Sequence, residues 1–162
     1  MNRREQRSPL KCWDIYAMHL LNQAEEFTRQ IELDTLKAYK KKYGWVFDFD
    51  DVFYSTVKFE TIILTDANRN IEWVNKGFTK MTGYAANYAK GRKPSFLQGT
   101  KTSKQTLDAI RLNLNAGINF KETILNYRKN GTVYNCNIEI YPLRDAQNNM
   151  SHYLALEKEI RI

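Results

Sequence analysis

Apolar positions in the first third of the chain recur with the period of a helix. Trp13, Ala17, Leu20, Ala24, Phe27 and Ile31 stand at alternating spacings of four and three, an a/d stripe of about two and a half heptads. Ser8 and Pro9 suit the N-cap and the first helical position. Asp34 suits a second cap, and a shorter helix through Leu36 and Tyr39 should stop at Gly44. Such a stripe needs a covering surface, and either this protein's own core or a seam with a second copy or another protein would supply it. Residues 45–54 mix aromatics with Asp48, Asp50 and Asp51. They read as an acidic connector rather than a metal site, because no histidine lies near.

After Phe59 the period shortens to that of strands. Residues 61–65 are a compact apolar run, Asp66-Ala67-Asn68-Arg69-Asn70 has turn chemistry, and residues 71–74 return. Residues 75–99 break into short pieces at Gly83, Gly91 and Pro94. One longer helix is predicted over 102–116, carrying Leu107, Ile110, Leu112 and Leu114 and stopping at Gly117. Three strands follow at about 121–128, 133–141 and 151–160, joined by turns at Asn130-Gly131 and Asp145 to Asn149. Turns that short cannot carry parallel crossovers, so the sheet is antiparallel. Tyr134, Cys136, Ile138 and Ile140 share one of its faces, and Asn135, Asn137 and Glu139 the other. The expected class is α+β, with helices between the second and third strands covering one hollow face.

Composition bounds this picture. The 162 residues allow one domain with extra length, and 43% hydrophobic with 27% charged residues is a globular balance. Cys12 and Cys136 are too far apart for a zinc motif or a disulfide framework. A soluble, cytoplasmic protein is expected, since neither a signal peptide nor a membrane-length apolar run is found. The net charge of +7 concentrates at Arg3, Arg4 and Arg7 and again at Lys37, Lys40, Lys41 and Lys42. A solubilising tail and a helix end explain it better than nucleic acid, for which no recognition motif is present.

The ordered motifs then point to a family. Asn75-x-x-Phe78-x-x-x-Thr82-Gly83-Tyr84, the run Gly91 to Gly99 (Gly-Arg-Lys-Pro-Ser-Phe-Leu-Gln-Gly), Asn126 to Gly131, Tyr141 to Asp145 and His152 to Ala155 resemble, in register, the hallmarks of PAS domains of the sensory-box type. The resemblance implies a five-stranded antiparallel PAS sheet over 59–162; by charge and periodicity the residues before it divide into a basic tail at 1–8, a helical extension at 9–43 and a connector at 44–58. It also implies a hollow face able to hold a small ligand and an outer face that meets flanking helices.

Within that family the chain is close to the light-oxygen-voltage flavin domains, whose motif reads Gly-Arg-Asn-Cys-Arg-Phe-Leu-Gln. Their cysteine attacks the photoexcited flavin; here the position is Pro94, so adduct photochemistry is not expected. By the same resemblance a phosphate-binding arginine becomes Ser95, a second is kept as Arg111, one ring-binding asparagine is kept as Asn126 and the other becomes Cys136, and the ring-sensing glutamine becomes Glu157, with Gln98 retained. Losing one charged and one neutral contact costs roughly 2–4.5 kcal/mol, or about 1.5 to 3 decades of affinity. The expected cofactor is therefore none, with FMN as the alternative, and the candidate cavity residues are Gln98, Arg111, Asn126, Cys136 and Glu157.

Catalytic residues are not expected. Neither a nucleophile–base pair nor a phosphate-cradling glycine loop is evident, and His152 should lie on the outer face, away from any haem. Two readings remain open. One is a non-catalytic interaction module, dimeric or docked on a signalling protein, acting through Trp13, Leu20, Phe27 and Ile31. The other is a small-ligand sensor, for which a species bound on purification would speak, whereas an empty, fully packed pocket would favour the interaction module. A basic nucleic-acid accessory protein is a distant third.

Overall fold

The computed structural model describes residues 10–54 and 58–160, with the side chains of 10–12 outside the description. The element order is α1 (Leu10–Tyr43), α2 (Phe49–Phe53), β1 (Thr61–Asp66), β2 (Ile71–Val74), α3 (Lys76–Thr82), α4 (Ala86–Ala89), a 3-10 turn at Pro94–Leu97, α5 (Lys104–Ala116), β3 (Phe120–Tyr127), β4 (Val133–Arg144) and β5 (Met150–Ile160). The expected basic tail and the Ser8–Pro9 helix start lie outside the described residues.

The sheet is five-stranded in the order β2-β1-β5-β4-β3, and every pair is antiparallel. The α+β expectation therefore holds. Short turns make the hairpins. Asp145 accepts from the backbone N–H groups of Gln147 and Asn149 at 2.9 and 2.8 Å, while Gly131 supplies the positive φ of 84° that the β3–β4 turn requires. β4 runs three residues beyond the expected end at Tyr141, straight through Pro142. Its pairing with β3 stops at Ile140, so the proline costs no hydrogen bond on that edge.

The helices between β2 and β3 cover one face. Asn75 starts α3 by accepting from Phe78 N–H at 3.1 Å, and the same oxygen takes Ile62 N–H at 2.9 Å, tying the helix to β1. A Cβ on Gly77 would come within 1.7 Å of the Glu60 carbonyl oxygen, so only glycine lets α3 approach β1 so closely. α5 is capped by Ser103 and closed by Gly117.

The opposite, outer face is covered by the extension, and two expectations need correction here. First, Asp34 caps nothing: α1 continues unbroken for 34 residues. No glycine or proline interrupts it, and the Asp34 carboxylate accepts from Gln30 Nε2 one turn earlier at 2.9 Å. Second, residues 45–54 do not form a mere acidic connector. Asp48 caps the short α2, accepting from Asp50 N–H at 2.9 Å, and Asp50 pairs with Lys37 at 2.8 Å. Trp45, Phe49 and Phe53 are buried with Leu33 and Leu36 of α1 against Ile62, Leu64, Leu143, Leu154 and Leu156 of the sheet.

Trp45 locks this layer. Its Nε1–H donates to Ser151 Oγ at 2.9 Å, it bridges to Asp145, and its ring is 2% exposed. Replacing a buried aromatic by alanine costs about 3–5 kcal/mol. Trp45→Ala is therefore expected to lower stability by that amount in denaturant titration, whereas a loose connector would lose under about 0.5 kcal/mol.

Candidate functional site

Strand alternation fixes which side chains can meet. On β5, Tyr153, Ala155 and Glu157 face inward, while His152, Leu154 and Leu156 face the α1–α2 layer. Inward residues of β1, β3, β4 and β5 meet α5 and the 3-10 turn around a cavity of about 350 Å³. Its walls are mainly apolar, from Leu97, Leu107, Ile110, Leu114, Ile124, Ile138 and Ile140, with a few polar groups converging on them. That is the usual makeup and size of a small-molecule site.

Four of the five residues expected here, Gln98, Arg111, Asn126 and Glu157, line the cavity, as do Pro94 and Ser95. Cys136 does not. It shares the inward face of β4 but is packed among Met81, Ile124, Tyr134 and Ile138, fully buried. Its Sγ–H points to Glu157 Oε2 at 3.7 Å, beside the cavity rather than into it. Sequence reasoning missed Arg69 and Lys93, which also line the cavity. Arg69 sits in the β1–β2 turn at a φ of 70°, unusual for a bulky residue. Its turn was legible, but the direction of its side chain was not.

The electrostatics single out Glu157. Burial pushes its carboxyl up to about 7, partly offset by the Cys136 hydrogen bond. Burial also pushes the Cys136 thiol strongly up, and the adjacent Glu157 adds to this, so the thiol stays protonated and unreactive. Tyr134 is raised by burial and then by Glu157. Arg111, in contrast, lies at the surface and pairs with Asp108 at 3.0 Å.

His152 lies on the outer face as expected, yet it is buried there. Its ring sits 4.2 Å from that of Tyr43 and 4.8 Å from that of Trp45, and Nε2 is 3.4 Å from Glu72 Oε1. The expected seam residues stand apart from the cavity: Trp13, Leu20, Phe27 and Ile31 are 72, 47, 68 and 49% exposed. They belong to none of the buried core clusters. Among the described residues no group of three or more potential metal ligands is assembled and no helix is long and apolar enough to cross a membrane. Of the basic cluster, Lys37, Lys40 and Lys42 are engaged by Asp50, the Phe47 carbonyl and the Tyr43 hydroxyl.

The Glu157 shift has a stability consequence with a definite sign. Its folded-state value lies above the ordinary one, so its favourable contribution is complete below about pH 4.5 and is lost as pH rises towards about 7. The full shift corresponds to about 3 kcal/mol. Glu157→Gln should therefore flatten the fall in stability across that window and be the more stable form above it. Denaturant titrations at several pH values test this; parallel curves for the two proteins would contradict it.

Comparison with known proteins agrees with this architecture. Residues 60–161 match the family model described as "PAS domain". Phototropin-1A of Oryza sativa subsp. japonica is 34% identical over 104 residues, covering 62% of this chain and 11% of that protein. A blue-light photoreceptor of Listeria innocua is 34% identical over 102 residues, 61% of this chain and 40% of its own length. This chain thus spans well under half the length of these relatives. Among solved structures, the light state of the blue-light photoreceptor Aureochrome1 LOV superposes with a TM-score of 0.63 at 30% identity, covering 66% of this chain and 90% of that one. The fold, the alternating strand faces and these matches agree: the chain belongs to the PAS domain family, with similarity to its light-oxygen-voltage members.

Proposed function

We propose that this chain is a non-catalytic PAS signalling module whose output is the contact made by the N-terminal half of α1. The observation that carries this reading is the division of one helix into two environments. Leu33 and Leu36 are buried on the outer sheet face, whereas Trp13, Ile15, Tyr16, Met18, Leu20, Leu21 and Phe27 are large, apolar and exposed on the same rod. An apolar patch so extended marks an interaction surface.

The partner we propose is a second copy. In the a/d stripe the alternating positions Ala17 and Ala24 are small, which lets two helices approach closely. The flanking positions Asp14, Tyr16, Leu21, Gln23, Thr28 and Gln30 carry one charge between them, so two copies would meet with little repulsion. Leu20→Asp combined with Phe27→Asp is expected to convert a dimer into a folded monomer. Light scattering after size exclusion gives the mass, and circular dichroism the fold. A monomeric native chain, or a double variant that stays dimeric, would overturn the self-association; a partner protein would then be the remaining occupant.

The cavity favours a second role, in which a small ligand biases the seat of α1. A volume of about 350 Å³ is not the fully packed interior of a pure interaction domain. Flavin meets it with only part of the contacts that family resemblance expects. Asn126, Gln98 and Arg111 line it, but Ser95 brings no charge, Cys136 is absent from the lining, and Glu157 adds a buried carboxyl. Pro94 carries no thiol for an adduct, and the protonated Cys136 does not replace it. We therefore derive no flavin chemistry for this chain. The visible absorption spectrum of the freshly purified protein is expected to be featureless; a structured blue-absorbing flavin band would refute the cofactor-free account.

A further inference from the structure

The charges lining the cavity are sorted by depth. Glu157 is its single acidic residue and is buried, 6% exposed. Its three cations, Arg69, Lys93 and Arg111, are half-buried or exposed, and they come from three separate segments: the β1–β2 turn, the residue before the 3-10 turn, and α5. Most of the remaining lining is apolar. A cavity with an acidic floor, an apolar lining and a basic mouth is complementary to a molecule with the opposite order.

Neither end is satisfied within the protein. Among the described residues the Glu157 carboxylate accepts one hydrogen bond, the weak one from Cys136 Sγ at 3.7 Å. A carboxylate has room for several donors, and leaving it nearly bare in an apolar site is costly. At the mouth, Arg69 and Lys93 form no ion pair among the described residues, and the Arg111–Asp108 pair is solvent-exposed and weak. Arg69 also holds the left-handed φ of 70° that bulky side chains avoid, at the place where its guanidinium lines the cavity. Backbone outliers of this kind cluster at ligand sites.

We propose that the cavity takes a zwitterionic organic ligand: a protonated amine at one end donates to Glu157, and an anionic group at the other end is held by Arg69, Lys93 and Arg111. This rests on the ligand-sensor role above and names its ligand class. It also changes the meaning of Ser95, because Arg69 and Lys93 restore the positive charge that Ser95 lacks. The floor then acts as the selector. An ionised carboxylate strengthens an N–H donor by charge assistance and repels an acceptor edge in the same place.

The test uses three aromatic probes: phosphotyramine with both ends, tyramine without the phosphate, and 4-ethylphenyl phosphate without the amine. Each is titrated calorimetrically into the full chain at mildly alkaline pH. Phosphotyramine is expected to bind at least about tenfold tighter than either half-probe. Glu157→Gln should erase its advantage over 4-ethylphenyl phosphate and leave that half-probe unchanged. Arg69→Ala combined with Lys93→Ala should erase its advantage over tyramine and leave tyramine unchanged. Equal affinities for all three probes, no binding of any, or a Glu157→Gln loss shared equally by both phosphates would each overturn the proposal. Any of these can occur while α1 still dimerises, so failure of the ligand assignment is distinguishable from failure of the signalling reading.

Discussion

Everything in this molecule hangs on the two-sided burial of β5. The strand lies at the centre of the sheet, pairing with β1 on one side and β4 on the other. With both edges hydrogen-bonded, its side chains have two environments to divide between. Tyr153, Ala155 and Glu157 form part of the cavity wall, and Leu154 and Leu156 form the bed on which α1 and α2 rest. Because the side-chain period is two, a one-residue slip would exchange these sets and destroy both faces together. The register is therefore strongly held, and the cavity and the extension are fixed to the same few residues.

The proposed route from inside to outside runs along that strand. A change at Glu157 is one residue from Leu156, which lies under the α1–α2 layer, and five from His152, which is wedged between Tyr43 at the end of α1 and Trp45 just beyond it. The layer is stiff where it touches the sheet, through Leu33, Leu36, Trp45, Phe49 and Phe53. It projects freely further out, where the apolar side chains from Trp13 to Phe27 are uncovered. A rigid lever seated on one shared strand can carry a small displacement without any new chemistry.

Much of this was legible in the sequence because strand alternation and turn chemistry are local. The split of Tyr134, Cys136, Ile138 and Ile140 from Asn135, Asn137 and Glu139 follows from spacing alone. The inward placement of Glu157 and the outward placement of His152 follow from the same rule. Asp34 misled because a cap is defined by its backbone geometry, and an aspartate inside a helix looks the same in sequence. The α2 layer was hidden by its three carboxylates, although Trp45, Phe49 and Phe53 recur every four residues and carried the helical signal. Cys136 was placed on the right face but beside the cavity, since depth along a face depends on how neighbouring side chains fill space. Arg69 and Lys93 come to line the same cavity as Arg111 only through tertiary folding, so nothing local could reveal it.

The central claim is that the C-terminal part of α1 belongs to the same cooperative unit as the sheet it covers. Native-state amide hydrogen exchange tests this directly, because it resolves which segments open together. The account predicts that the amides of residues 33–43 exchange only with the global unfolding that releases β5, while the helix before Phe27 opens separately. If residues 33–43 instead exchange with the outer part of the helix, faster than β5, the extension is not seated on the sheet and the proposed route from cavity to α1 fails.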